Sequence, residues 1–178
     1  MPALPERRSA DADVVAAVER GDAPGLASLL DGRANPNARR QDPRNWRWTA
    51  LHVAAISGRV DLVTLLCDRG ADLDAVAFYE EAVDKRLVEG SCTPLLVAIR
   101  AGEAEVARLL IARGANPRFT DPAFGESALI AAARLGQLDV IDALIERAAP
   151  DRHELQRAVN EARLSRQTAA VQRLEELC

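Results

Sequence analysis

The chain has 178 residues, of which 48% are hydrophobic and 28% charged, and its net charge is −4. This composition excludes an intrinsically disordered chain, argues against a basic nucleic-acid-binding domain, and leaves a soluble fold of one domain or two small ones. Aromatic residues make up only 3%, so the core has to come from many aliphatic side chains packed between regular elements, which favours stacked helices over a sandwich.

All of the 23 basic residues except Lys85 are Arg, spread along the chain among 27 acids. The opening "MPALPERRSADAD" has no apolar signal-peptide core, and no later stretch nears the ~18 uninterrupted apolar residues of a membrane span. A cytoplasmic protein without membrane attachment is the expectation. Cys67, Cys92 and Cys178 are widely separated and form no C-x-x-C pair. That pattern fits reduced thiols rather than a disulfide framework or a zinc site.

In chain order, residues 1–9 read as a flexible lead-in, and five units follow at 10–38, 39–75, 76–116, 117–150 and 151–178. The first four contain "AVERGDAPGLASLLDGRANPNA" from Ala17, "AAISGRVDLVTLLCDRGADLDA" from Ala54, "AIRAGEAEVARLLIARGANPRF" from Ala98 and "AARLGQLDVIDALIERAAPDRH" from Ala132. Each has Gly at its fifth position: Gly21, Gly58, Gly102 and Gly136. An Ala-rich first helix ends at that Gly, which takes the left-handed conformation of a C-cap. A second helix follows with apolar residues at helical spacing, such as Leu62, Leu65 and Leu66, then Val106, Leu109 and Leu110, then Val140, Ala143 and Leu144. Gly32, Gly70 and Gly114 stop the second helix in the first three units. Thr49, Thr93 and Ser127 stand where a hydroxyl caps the next first helix, and Pro94 occupies a favoured first helical position. A helix pair of this size cannot bury its own apolar face and has to stack on its neighbours.

The pattern T-P-L-H-x-A-A-x-x-G followed by L-L-x-x-G-A-D/N resembles the ankyrin repeat. "TALHVAAISGRVDLVTLLCDRGADLDA", Thr49 to Ala75, is a close match, and "TPLLVAIRAGEAEVARLLIARGANP" a good one. The resemblance implies an all-α ankyrin solenoid of about five helix-turn-helix units, with hairpin fingers between repeats and polar capping repeats at both ends. It also implies a small, single-domain and bacterial member of that family. Ala50 departs from the usual Pro, and Leu96 and Ile130 stand where His52 stands in the second unit. The Thr/His hydrogen bonding of the family is therefore expected only around Thr49 and His52.

Where the units disagree, a partner is the natural reason. Gly21 to Gly58 is 37 residues, Gly58 to Gly102 is 44, and Gly102 to Gly136 is 34, against a usual period of about 33. The extra length lies in "AFYEEAVDKRLVEG", residues 77–90, which holds the one Tyr and the one Lys. Either a hairpin or a helical turn suits it, with Glu81 and Lys85 at i, i+4 favouring the turn. All six aromatic residues fall in connections: Trp46 and Trp48, Phe78 and Tyr79, Phe119 and Phe124. They either seal the edge of the stack against one another or contact a partner, Trp and Tyr being common interface hot spots. The same two readings hold for the basic first connection (Arg39, Arg40, Arg44, Arg47) and the acidic insert (Glu80, Glu81, Asp84, Glu89). By its match to the repeat pattern, the concave face receives Ile56, Arg100 and Arg134 from the ends of first helices. The two arginines are expected about 10 Å apart, either receiving an acidic segment of a partner or standing simply solvated.

No H-E-x-x-H, G-x-S-x-G or P-loop occurs, His52 belongs to the repeat motif and His153 to the final cap, and neither Cys67 nor Cys92 has a matched base. The expectation is a monomeric, non-catalytic protein-interaction module without cofactor or metal. Its binding residues would be Trp46, Trp48, Ile56, Phe78, Tyr79, Arg100, Phe119, Phe124 and Arg134. One alternative is a cytoplasmic inhibitor or immunity protein that covers a toxin or enzyme. Another, suggested by "RRQDPRNWRW", is a nucleic-acid binder.

Overall fold

The apolar spacing produces five consecutive helix pairs in the computed structural model, which describes residues 5–40, 47–83 and 86–177. The pairs are α1 (Pro5–Arg20) with α2 (Ala23–Asp31), α3 (Ala50–Ile56) with α4 (Val60–Asp68), and α5 (Pro94–Ala101) with α6 (Ala104–Arg113). Then come α7 (Ala128–Leu135) with α8 (Leu138–Ala148), and α9 (Arg152–Leu164) with α10 (Thr168–Glu175). Within the stack α1, α3, α5, α7 and α9 contact one another in order, as do α2, α4, α6, α8 and α10. The result is two helical layers.

The layers bury different amounts of surface, and the sequence reflects it. First helices lie between neighbours on both sides and under their own second helix, so Ala50–Ala55, Pro94–Ile99 and Ala128–Ala133 are buried without interruption. Alanine takes three of the six places in Ala50–Ala55 and four of the six in Ala128–Ala133, where small side chains let helices approach closely, but only one in Pro94–Ile99. Second helices bury one stripe, such as Leu62, Val63 and Leu66, and leave the opposite face in water.

Hydroxyl caps stand where expected: Thr49 Oγ1 accepts from His52 N, Thr93 Oγ1 from Leu96 N (3.4 Å) and Ser127 Oγ from Ile130 N (3.4 Å). Only the first also holds a histidine. Thr49 N donates to His52 Nδ1 (3.3 Å), which assigns the ring proton to Nε2, facing the Cys92 carbonyl at 3.3 Å. This bond ties the second repeat to the third. In the fourth repeat Ser127 Oγ instead donates to Glu154 Oε1 of α9 at 2.7 Å.

Several expectations change. The chain is mostly helical but not all-α: β1 (Ala77–Val83) pairs antiparallel with β2 (Arg86–Cys92), and β3 (Thr120–Asp121) with β4 (Glu126–Ser127). The insert is thus a hairpin rather than a helical turn, in a register from Ala77 opposite Cys92 to Val83 opposite Arg86. Alternating strand positions account for this: Gly90 faces Tyr79 across the pair, and a side chain there would collide with the phenol ring. Lys85 itself lies outside the described residues. Helix α1 already runs from Pro5, so residues 5–9 are helical rather than a coil lead-in. Gly32 is not the left-handed residue of its turn; φ is −73° there, and Arg33 takes +66° instead. Arg166 likewise takes a φ of 60° in the last repeat, where the first four have Gly.

Candidate protein-interaction site

Three connections meet beside the ends of the first helices. In the first, Arg39 bridges to Thr49, and Arg40 N donates to the Trp48 carbonyl (2.7 Å), which places Trp48 just before α3. Its ring lies 5.6 Å from that of His52, and Nε1 donates to the Phe78 carbonyl at 3.0 Å. Among the described residues, the first connection is therefore joined to β1 by the Trp48 side chain donating to main chain.

The joint from the β1–β2 hairpin to the next connection is denser and charged. Asp121 on β3 is fully buried at 0% exposure. Its Oδ1 accepts from Ser91 N (3.2 Å) and Ala123 N (3.1 Å), and its Oδ2 accepts from the Tyr79 hydroxyl and from Arg100 Nη2 (2.7 Å). Arg100 also donates through Nε to Glu126 Oε2 at 2.7 Å, and its guanidinium carbon lies 5.1 Å from the centre of the Tyr79 ring. Glu126 Oε1 accepts from Arg134 Nε at 3.0 Å. Two cations and two anions thus close on one another between β1, β2, α5, β3, β4 and α7.

Burial and pairing act in opposite senses on these groups. Burial by itself would raise the Asp121 carboxyl, but the donors around it, Arg100 foremost, hold it below the usual carboxylate range. Burial opposes the charge of Arg100, and its bonds to Asp121 and Glu126 outweigh that and raise its pKa. Tyr79 is held as a neutral phenol, its pKa raised by burial and by the bond to Asp121. Burial pushes the neighbouring Cys92 thiol up to about 12, so it is an un-ionised core group.

Against this joint opens a cavity of about 500 Å3. Six of the nine residues expected at a binding site line it: Trp48, Ile56, Tyr79, Arg100, Phe124 and Arg134. Ile56 and Phe124 keep 46% and 40% of their surface exposed there. Phe78 does not line the cavity: it neighbours Tyr79 on β1, so its side chain leaves the opposite face of the hairpin, 41% exposed. Phe119 is half-buried against the core, and Trp46 lies outside the described residues.

Asp121 and Glu126 are the residues that sequence reasoning missed. Their signal was present in "TDPAFGES", where an Asp opens a Pro-containing turn and a Glu precedes the helix cap. Arg100 and Arg134 are correspondingly not the free cations expected to capture an acidic segment, because each already holds a carboxylate.

Helix pairs packed in order, with two-stranded hairpins in two of the connections, define a helical repeat protein. Three copies of the family model "Ankyrin repeats" match residues 14–121, 74–154 and 95–174. The chain belongs to the ankyrin-repeat family, whose repeats are generally protein-interaction modules.

The chain is 31% identical over 137 residues to rice "Probable E3 ubiquitin-protein ligase XBOS31", covering 77% of this chain and 28% of that protein. It is 33% identical over 121 residues to mouse "B-cell lymphoma 3 protein homolog", covering 67% and 24%. Over 62 residues it is 42% identical to mouse "2-5A-dependent ribonuclease", covering 35% and 8%. The chain therefore spans less than a third of the length of each of these relatives. Among the described residues no helix is long and apolar enough to cross a membrane.

Proposed function

We propose that this chain is a non-catalytic, monomeric module, an ankyrin solenoid that binds a segment of a partner protein in the cavity between its hairpins and first-helix ends. One observation carries the reading. Residues from three successive repeats, far apart in sequence, converge on a single concave and mainly apolar site that keeps large hydrophobic side chains in water. Exposed apolar surface of this kind costs solubility and is kept where a partner covers it.

Peptides selected on the protein from a random displayed library test this. The expected outcome is binding that Ile56→Asp weakens by about tenfold or more, because a carboxylate then stands in the apolar wall. Ile56 is half-exposed, so the variant keeps its fold, checked by circular dichroism. Selected peptides that bind wild type and Ile56→Asp equally would move the site elsewhere.

A further inference from the structure

We infer that the partner group seated in this cavity is an uncharged, bulky apolar side chain, aliphatic or aromatic, whose own main-chain carbonyl accepts hydrogen bonds from the arginine pair. The inference rests on the reading of the cavity as a protein-binding site and concerns what chemistry that site selects.

A wall containing two arginines looks built for an acid, but Arg100 and Arg134 face Asp121 and Glu126, and the four groups sum to zero. Asp121 is wholly buried behind the wall with four donors satisfied, so it cannot turn away to release Arg100. An incoming carboxylate would meet no net positive charge and would have to leave water among Trp48, Ile56, Tyr79, Val97 and Phe124, a costly transfer for an unpaired ion. An apolar side chain brings no charge of its own to desolvate among these residues, and the charges already in the wall stay paired with one another.

The guanidinium groups still have capacity for a neutral acceptor. A guanidinium has five N–H donors. Arg100 uses Nε and Nη2 toward the two carboxylates, and Arg134 uses Nε and Nη2 toward Glu126. Their remaining N–H groups suit a peptide carbonyl, which is polar without being charged. The volume of about 500 Å3 falls in the range of small-ligand pockets and has room for one bulky side chain together with its flanking main chain.

Three capped pentapeptides, each with two glycines on either side of a central Leu, Trp or Asp, serve as probes. Each is titrated into the full chain while the Trp48 indole N–H and the Ile56 methyl signals are followed by NMR. The Leu and Trp peptides are expected to shift both signals to saturation, and the Asp peptide to bind about tenfold more weakly or worse. Glu126→Gln then removes one anion and leaves the arginines in excess, so the discrimination against Asp should shrink several-fold in that variant. Phe78→Ala serves as a folded control with the arginine wall intact.

An Asp peptide that binds wild type as tightly as the Leu peptide overturns the apolar selectivity while leaving the protein-binding reading in place. Discrimination unchanged in folded Glu126→Gln overturns the charge-balance explanation. No saturable shift with any of the three overturns the anchor inference, whereas loss of the binding reading itself would appear as equal binding of library-selected peptides to wild type and Ile56→Asp.

Discussion

Arginine–carboxylate pairs join successive repeats at two places, on the second-helix side and at the hairpins. On the second-helix side Arg69 reaches Asp31 (2.5 Å) and Arg113 reaches Asp68 (2.6 Å), each pair linking neighbouring repeats with side chains a third or more exposed. At the hairpins Arg100 reaches Asp121, which has no exposure, and Glu126, which has little. The distances are alike. In water the attraction is weak and offset by ordering two long side chains. Away from water, removing one partner leaves a buried charge with no compensation. The same chemistry is thus a surface feature in one place and a structural joint in the other, and the joint shapes the cavity wall.

The largest effect expected on that contrast comes from Asp121→Ala, which leaves Arg100 with Glu126 alone and removes the acceptor of Tyr79 and of two backbone N–H groups. It should lower unfolding stability in urea at neutral pH by about 4 kcal/mol. A loss comparable to that of a surface pair would show that the joint is no stronger than the exposed ladder. The Asp121 contribution depends on pH in a defined sense. Its folded pKa is depressed, so the stabilisation is present above the unfolded value near about 3.9 and is lost as pH falls through the lower folded value.

The uncharged joint, His52 to the Cys92 carbonyl, gives the next effect. Burial lowers the His52 pKa from 6.5 to about 4. The unfolded chain then binds a proton that the folded one refuses, so stability falls as pH drops from about 6.5 to about 4, by up to about 3 kcal/mol, and is flat above that window. Stability curves measured across that range should show the slope in wild type and lose it in His52→Gln. Tyr79→Phe keeps the ring against Gly90 and Arg100 but removes one donor to Asp121, for about 2 kcal/mol. Arg113→Ala, cutting an exposed pair, should cost no more than about 1 kcal/mol. If Arg113→Ala proves as damaging as Tyr79→Phe, burial is not what separates the two sides.

The helical scaffold was legible in the residues because each unit repeats the same demands. Gly21, Gly58, Gly102 and Gly136 all take positive φ, and Thr49, Thr93 and Ser127 all cap helices. Where the repetition lapsed, so did the reading. Arg33 stands before Ala34–Asn35 as Gly70 stands before Ala71–Asp72 and Gly114 before Ala115–Asn116, so Arg33 rather than Gly32 takes the left-handed turn, a correspondence hidden by the neighbouring glycine. The i, i+4 spacing of Glu81 and Lys85 suggested a helical turn, and cross-strand pairing over seven residue pairs prevailed over that weak local preference. The candidate site was legible as a set of positions but not as an electrostatic object. Arg100 and Arg134 were visible from their equivalent places in the repeats, whereas their neutralisation depends on Asp121 and Glu126 arriving from a different connection.

The smallest effect is expected at Phe78, the residue beside Tyr79 that differs from it most. Tyr79 faces the joint and the cavity, while Phe78 points the other way and contributes to the joint only through its backbone carbonyl, which an alanine supplies equally well. Phe78→Ala should therefore change stability by no more than about 0.5 kcal/mol. Affinity for peptides selected on the cavity should stay within about threefold. A tenfold loss of affinity with stability intact would mean that the partner crosses the hairpin edge and uses both of its faces. In that case the buried joint is not only the wall of a pocket; it also holds the β1–β2 hairpin upright as a surface for the partner to wrap.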